Sequence, residues 1–212
     1  MVLTLTFGKY RNQLITEVFK KDKQYLRWLC IQPWFKNRHN PLFKEASKVI
    51  TDYKPDINGN KFIIYTDGAC PNNGNSRAKA AIGIHFSETN PIKINDISEM
   101  LHTENPSNNL AELTAIYVSL KLIKEKNIQM PIELYTDSKY CQTTLLEWYE
   151  NWVRENKLHT KKHIPLIKKT YDLYKSFDNI EINYVKAHSK NTDKHSCGNR
   201  IADQLARNAI KN

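Results

Sequence analysis

Lys61–Cys70 reads KFIIYTDGAC. Phe62, Ile63, Ile64 and Tyr65 form a short apolar run rich in β-formers, closed by Gly68, which is the pattern of a buried strand ending in a turn. Asp67 stands where the strand runs out, and α/β sheets place their chemistry at the carboxyl ends of central strands. Seventy residues later Ile132–Asp137 repeats the arrangement as IELYTD, followed by Ser138. Two strands that each end in Tyr-Thr-Asp can aim two carboxylates at one point.

Around this pair the order of elements is legible. A strand at 62–66 leads into a polar turn with Asn72, Asn73 and Gly74, then strands near 80–87 and 92–100. A helix from about 107 to 126 carries Leu113, Ile116, Leu120 and Ile123 at three- and four-residue steps. The strand 132–136, a helix from Ser138 through Trp152, a basic segment, a helix over roughly 164–176 and a strand over 180–186 follow. A loop then reaches a closing helix, 199–210. Three early strands followed by alternating helices and strands predict an α/β fold, a mixed sheet with helices packed on it. No internal repeat is visible beyond the Tyr-Thr-Asp echo.

Residues 1–54 differ in texture. Leu3, Leu5 and Phe7 alternate with Thr4 and Thr6 as a half-buried strand that Gly8 ends. Asp22 is placed to start a helix carrying Tyr25, Leu26, Trp28 and Leu29, which stops before Pro33. A second helix is expected after Pro41, with Phe43, Ala46, Val49 and Ile50 at helical spacing. Pro55–Asn60 (PDINGN) is turn chemistry. The expected division is a small α+β module over 1–54, a linker over 55–60 and the main domain over 61–212.

At 212 residues, with 40% hydrophobic and 25% charged content, the chain is an ordinary globular one. The charge is less ordinary: 32 Lys+Arg against 22 Asp+Glu give +10. Residues 1–60 carry 11 Lys+Arg and 5 Asp+Glu, so +6 of that excess lies there. Such a balance predicts attraction to polyanions, nucleic acid first, unless it serves only solubility. Cys30, Cys70, Cys141 and Cys197 are scattered, with no CxxC pair and no secretory h-region at the start. Free thiols in a reducing compartment are expected. No apolar run reaches membrane-spanning length. The expectation is a soluble intracellular protein with no membrane partner; cytoplasm and nucleus are not distinguished, nor is a viral source.

Two further acids join the Tyr-Thr-Asp pair. Glu112 lies one helical turn before Ile116 and two before Leu120, on the stripe facing the sheet, where an unpaired carboxylate is costly. Asp203 sits among Ile201, Ala202, Leu205 and Ala206 of the closing helix. Each acid alone reads as a turn or helix-surface residue. Four together need a shared counter-charge, and no Lys or Arg stands out to supply it. Oxygen ligands without a Cys or His cluster point to Mg²⁺ or Mn²⁺. An all-carboxylate site in a basic chain suggests two-metal phosphodiester chemistry.

The motifs YTDGAC with Asp67, SNNLAEL with Glu112, YTDSKY with Asp137, VKAH with His188 and GNRIADQLA with Asp203 occur in an order and spacing that resemble the ribonuclease H type 1 family over about 61–210. The resemblance implies a ribonuclease H-like five-stranded sheet, three antiparallel strands then two parallel, with helices on both faces. It implies that Asp67, Glu112, Asp137 and Asp203 bind two Mg²⁺ ions, Mn²⁺ being a substitute. The implied reaction is attack of water on the RNA strand of an RNA–DNA hybrid, leaving 5′-phosphate and 3′-hydroxyl ends, by a monomer. His188 would serve proton transfer or product release, with His195 a second candidate in a lengthened loop; His195-x-Cys197 as a zinc site is a weak pattern.

By the same resemblance Asn108 and Asn109 match minor-groove contacts to 2′-hydroxyls, and Asn73 lies at the position of another contact. Asn before a periodic run also reads as a helix start. Asn199 is a further substrate-side candidate. Ser107 and Thr143 offer hydroxyls to a DNA-phosphate pocket in which Asn105 replaces an Arg that some members carry. Trp148 and Trp152 align with the helix leading into the family's basic protrusion, here diluted by Glu147, Glu150 and Glu155. Trp148 reads as core packing or as a stacking platform.

TFGKYRNQLITEVFKKDKQYLRWLCIQPWF is similar to a small module attached to exonuclease-type proteins. Lys9, Arg11, Lys20, Lys21 and Lys23 around Tyr10 and Phe19 make a strand-binding surface unless Phe7, Trp28, Leu29 and Trp34 merely build a small core. Two other readings stand beside an active ribonuclease: a hybrid-binding protein without catalysis, and a DNA-cutting relative of resolvase or integrase type. The four acids speak against the first, and SNNLAEL with VKAH against the second.

Overall fold

The computed structural model describes residues 3–22, 25–26, 29–30, 32–52, 61–187 and 191–211. Its centre is a five-stranded sheet of β1 (Phe62–Ala69), β2 (Ala80–Phe86), β3 (Ile97–Leu101), β4 (Ile132–Thr136) and β5 (Ile180–Tyr184). The order is β3-β2-β1-β4-β5. β1–β2 and β2–β3 are antiparallel, whereas β1–β4 and β4–β5 are parallel. The Tyr-Thr-Asp echo thus becomes adjacency: Tyr65 pairs with Tyr135 and Thr66 with Thr136.

Both faces of the sheet are covered, as a central strand buried on both sides requires. Phe62 and Ile64 join a large core with Leu113, Ile116 and Leu120 of the long helix Asn108–Glu125. On the opposite face Ile63 and Tyr65 pack with Ala202 of the closing helix Lys194–Lys211. That helix lies directly on β2. A Cβ built at Gly83 would sit 2.0 Å from the Ala202 carbonyl oxygen, and one at Gly198 would sit 2.3 Å from the Tyr65 ring.

Among the described residues the α-helices with full ranges are, in chain order, α1 (Ile15–Lys21), α2 (Pro33–Arg38), α3 (Asn40–Asp52), α4 (Asn108–Glu125), α5 (Lys139–Thr143), α6 (Tyr149–Arg154), α7 (Ile164–Lys175) and α8 (Lys194–Lys211), with a π-helical turn (Thr144–Trp148) joining α5 to α6. Tyr25, Leu26, Leu29 and Cys30 are also helical, where the sequence placed a helix after Asp22. The expected strand at 3–7 is reduced to one bridge, Thr4 to Leu14. The chain turns back within a few residues: the Asn12 amide donates to the Leu5 carbonyl and the Ile15 amide to the Leu3 carbonyl, at 2.7 and 3.0 Å. The third sheet strand begins at Ile97, not near 92, because Asp96 is tied back to the His85 ring and the Phe86 amide. Helix α8 begins at Lys194, five residues earlier than expected, so the loop before it is shorter.

The N-terminal segment packs into the main core: Leu5, Ile15, Val18, Leu26 and Phe35 are contiguous with the core under α4. Asp22 is its anchor. The carboxylate side chain, 3% exposed, is met by Lys9 Nζ at 2.9 Å and by Lys175 Nζ of α7 at 3.0 Å. It also accepts from the Tyr10 hydroxyl at 2.9 Å and the Tyr25 amide at 3.0 Å. Lys9 reaches on to Glu150 of α6 at 2.8 Å, and the Tyr171 hydroxyl of α7 donates to that same carboxylate. Hence Lys9, Tyr10 and Phe19 face inward and cannot form the strand-binding surface expected of them; Arg11, Lys20 and Lys21 are exposed. Lys23, Trp28 and the 55–60 linker lie outside the described residues.

Candidate active site

Asp67 lies two residues before the end of β1, 6% exposed, with its Oδ1 accepting from the Gly68 amide at 2.7 Å. Asp137 follows Thr136 at the matching end of β4. Glu112 comes from the first turns of α4. That approach depends on Gly68, where a Cβ would stand 2.2 Å from the Glu112 amide nitrogen and 2.6 Å from the Ala111 carbonyl carbon. Carboxylate oxygens of Asp67, Glu112 and Asp137 fall within 4.8 Å of one another. Asp203 of α8 joins them in lining a cleft of about 760 Å³, with Asn108, Ser138 and Arg207 on the walls.

The electrostatics are those of acids held together against their charge. Burial, then the neighbouring Asp137 and Asp203, push the Asp67 carboxyl up to about 8. Glu112 rises well above the carboxylate range through burial and then the proximity of Asp67 and Asp137. Glu112 Oε2 is buried with no hydrogen-bond partner among the described residues, while Oε1 receives Asn108 Nδ2 at 3.5 Å. A buried carboxylate oxygen left without a donor is expensive. An all-oxygen donor set with such an orphan fits a hard divalent cation, which would be held by Asp67, Glu112 and Asp137.

The fourth acid differs. The Asp203 side chain is 23% exposed and its Oδ1 is paired with Arg207 Nε at 2.7 Å. The counter-charge that the sequence did not reveal is therefore present, one turn further along α8. The signal was there as an Asp-x-x-x-Arg pair at i,i+4. Asn199 Nδ2 donates to Asp137 Oδ2 at 3.0 Å, so it orients an acid.

Around the rim, Asn73, Asn108 and Asn109 are exposed, and the Asn108 amide donates to Asn73 Oδ1 at 3.4 Å. Ser107 caps α4 by accepting from the Leu110 amide, and its Oγ lies 3.1 Å from His163 Nε2 at the start of α7. Thr143 is buried and donates its hydroxyl proton to the Lys139 carbonyl at 2.8 Å. Trp148 is 37% exposed, against Tyr140 and Trp152 at 6.0 and 5.9 Å between ring centres. Lys161 Nζ lies 5.0 Å over the Trp152 ring. Of the acids that diluted this region, Glu150 is turned inward to Lys9 and Glu155 is paired with Lys157.

His188 lies outside the described residues. His195 lies between two strands' tyrosines. Its Nδ1 is 3.3 Å from the Tyr65 hydroxyl, its Nε2 3.4 Å from the Tyr135 hydroxyl, and its ring stacks on Tyr135 at 4.1 Å. Cys197 Sγ faces the Thr192 carbonyl and Arg200, so the two do not make a zinc pair.

A mixed five-stranded sheet with acids near the ends of its adjacent central parallel strands is the arrangement of the ribonuclease H-like fold class. The RNase H family profile matches residues 59–211, and the chain belongs to that family. A second profile, exodeoxyribonuclease X-like C-terminal, matches residues 5–32. Ribonuclease H of Wolbachia pipientis wMel is 38% identical over 157 residues, 70% of this chain and 94% of that protein. Ribonuclease HI of Rickettsia prowazekii is 35% identical over 150 residues, 69% of this chain and 88% of that protein. Among solved structures, the PFV RNase H domain superposes with a TM-score of 0.56 at 26% identity, covering 70% of this chain and 93% of that one. No helix of the described residues is long and apolar enough to cross a membrane.

Proposed function

We propose that this protein is an endoribonuclease that hydrolyses the RNA strand of RNA–DNA hybrids and leaves 5′-phosphate and 3′-hydroxyl ends. The observation that carries the reading is the buried triad Asp67, Glu112 and Asp137, with carboxylate oxygens within 4.8 Å in a chain of the RNase H family. Two Mg²⁺ ions, or Mn²⁺ in their place, would supply activation of the attacking water and charge stabilisation at the phosphorus. Asp67, Glu112 and Asp137 hold the cationic centre, and Asn199 keeps the Asp137 carboxylate turned toward it. Asp203, partly exposed at the cleft, completes the set, and its pairing with Arg207 offsets part of its charge. The exposed amides of Asn73, Asn108 and Asn109 supply donors and acceptors suited to 2′-hydroxyls in a shallow minor groove. Trp148, with Lys161 beside its partner Trp152, offers a surface to the DNA strand. His188 remains the candidate for proton transfer or release of product. We take the 61–212 portion as the catalytic domain, acting as a monomer.

The test uses separately labelled RNA–DNA hybrid, duplex DNA and duplex RNA in Mg²⁺, with Asp137→Asn as control. The expected outcome is cleavage of the RNA strand of the hybrid alone, abolished by the substitution and by EDTA. Cutting of duplex DNA would favour the resolvase-like reading. Hybrid binding without cleavage would favour a catalytically silent binder.

A further inference from the structure

The FGKY stretch splits in two. Gly8, at φ +72°, turns the chain beneath Tyr25, where a Cβ would meet the tyrosine hydroxyl at 2.2 Å. After the turn Lys9 and Tyr10 go inward to Asp22. Before it Phe7 goes the other way and meets α2 and the start of α3. Its ring lies 5.2 Å from Trp34 and 4.4 Å from His39, and all three rest on the fully buried Phe35. Phe43, 6.1 Å from Phe35, extends the group. Phe7, Trp34, His39 and Phe43 are each only half-buried, so a set of ring surfaces faces outward.

The sequence that carries these rings is basic up to Glu45. Residues 33–44, PWFKNRHNPLFK, contain Lys36, Arg38 and Lys44 and no Asp or Glu. All three cations are exposed, and Lys36 Nζ lies 6.0 Å over the Phe43 ring. Ring faces interleaved with unpaired cations form the surface that single-stranded nucleic acid uses, bases stacking while phosphates meet Lys and Arg.

We propose that Phe7, Trp34, His39 and Phe43, with Lys36 and Arg38, form a binding platform for an unpaired nucleic-acid strand. It lies apart from the carboxylate cleft and on a different face of the module from the Lys9–Tyr10 surface that the sequence suggested. Only Phe7 falls within the stretch matched by the exodeoxyribonuclease X-like profile. Because Asp22 and Lys9 fasten the segment to α6 and α7, the platform is held in a fixed position relative to the nuclease. It suits a single-stranded flank of the hybrid, a role that rests on the proposed activity; binding of the strand itself does not.

The experiment therefore measures binding without cleavage. Full-length protein in EDTA is titrated with fluorescein-labelled dT12 and with an abasic 12-mer of the same length. Trp34→Leu should weaken dT12 roughly tenfold, the scale of one lost base stack, and leave the abasic strand unchanged. Lys36→Glu/Arg38→Glu should weaken both probes and reduce the salt dependence by about two phosphate contacts. Lys121→Glu/Lys126→Glu, an equal charge change at the end of α4, is the control and should do less. Bromodeoxyuridine cross-links should fall within residues 33–44. The proposal is overturned if Trp34→Leu lowers only the melting temperature and not the dT12 affinity, if the control weakens binding as much, or if cross-links fall only within 138–154.

Discussion

Asp67 titrates in the wrong range for an aspartate, at about 8, because burial and the Asp137 and Asp203 carboxylates oppose its ionisation. Unfolded, it would titrate near 3.8. A folded value above the unfolded one means the stability it contributes is full below the lower value and lost as pH rises through the upper. The cation-free protein should accordingly weaken between about pH 4 and 8, with Glu112 acting in the same direction. Asp67→Asn keeps an oxygen to accept the Gly68 amide and removes the charge. In EDTA at pH 9 the variant should be more stable than the parent by on the order of 2 kcal/mol, with the gap closing toward pH 5. Millimolar Mg²⁺ should raise the melting temperature of the parent at pH 8 and have much less effect on the variant. Thermal melts at four pH values decide this, and a pH-independent gap would refute it.

At the scale of elements, the site depends on how closely α8 lies against the sheet. Gly83 pairs with Asp67 in register, and a Cβ there would stand 2.0 Å from the Ala202 carbonyl oxygen and 2.5 Å from the Ala206 amide nitrogen. Both are backbone atoms, so relief requires the helix to move. Gly83→Ala should cost about 1–3 kcal/mol or more. Moving α8 also displaces Asn199 from Asp137 and Asp203 from the cleft, so hybrid cleavage should fall at temperatures where the variant is still folded. Gly74→Ala, whose Cβ meets nothing within 4 Å, bears only backbone strain and should be milder. Equal melting temperatures and activities for the two would remove the argument.

These same elements mark what could be read beforehand. β1, β4 and α4 were legible because their apolar periods are clean, and the starts of α4 and α5 because their caps are ordinary, Ser107 and Ser138 each accepting from an amide three residues on. The four acids were legible as strand ends and an apolar helix stripe. Close approaches at Gly68, Gly83 and Gly198 were not, since a glycine's spelling does not say which backbone comes near it. α1 went unseen because seven residues show too little period, and Asp22, read only as a helix start, also ends that helix. The helix through Leu29 and Cys30 does end before Pro33, as expected, but Pro33 also opens α2, where a fixed φ and a missing N–H cost nothing.

Whole-molecule stability turns on Asp22, the point where the N-terminal segment and the nuclease body share charge. Its carboxyl is pulled upward by burial, and Lys9 and Lys175 outweigh that, so it settles below 3.8. A depressed value contributes stability that is present above 3.8 and is lost as pH falls through the folded value. Asp22→Asn leaves Lys175 facing a neutral group and Lys9 with Glu150 alone. Breaking a buried pair from one side costs about 3–5 kcal/mol. Since Leu5, Val18 and Phe35 share one core with α4, that loss should be felt beyond the segment itself. Amide exchange should quicken first across α1 and then under α7, while β1 keeps its protection until global unfolding. High salt should not reproduce the effect, because a side chain 3% exposed is little screened. If α1 amides in Asp22→Asn exchange as slowly as in the parent, the segment is held by apolar packing and the ion network is incidental to it.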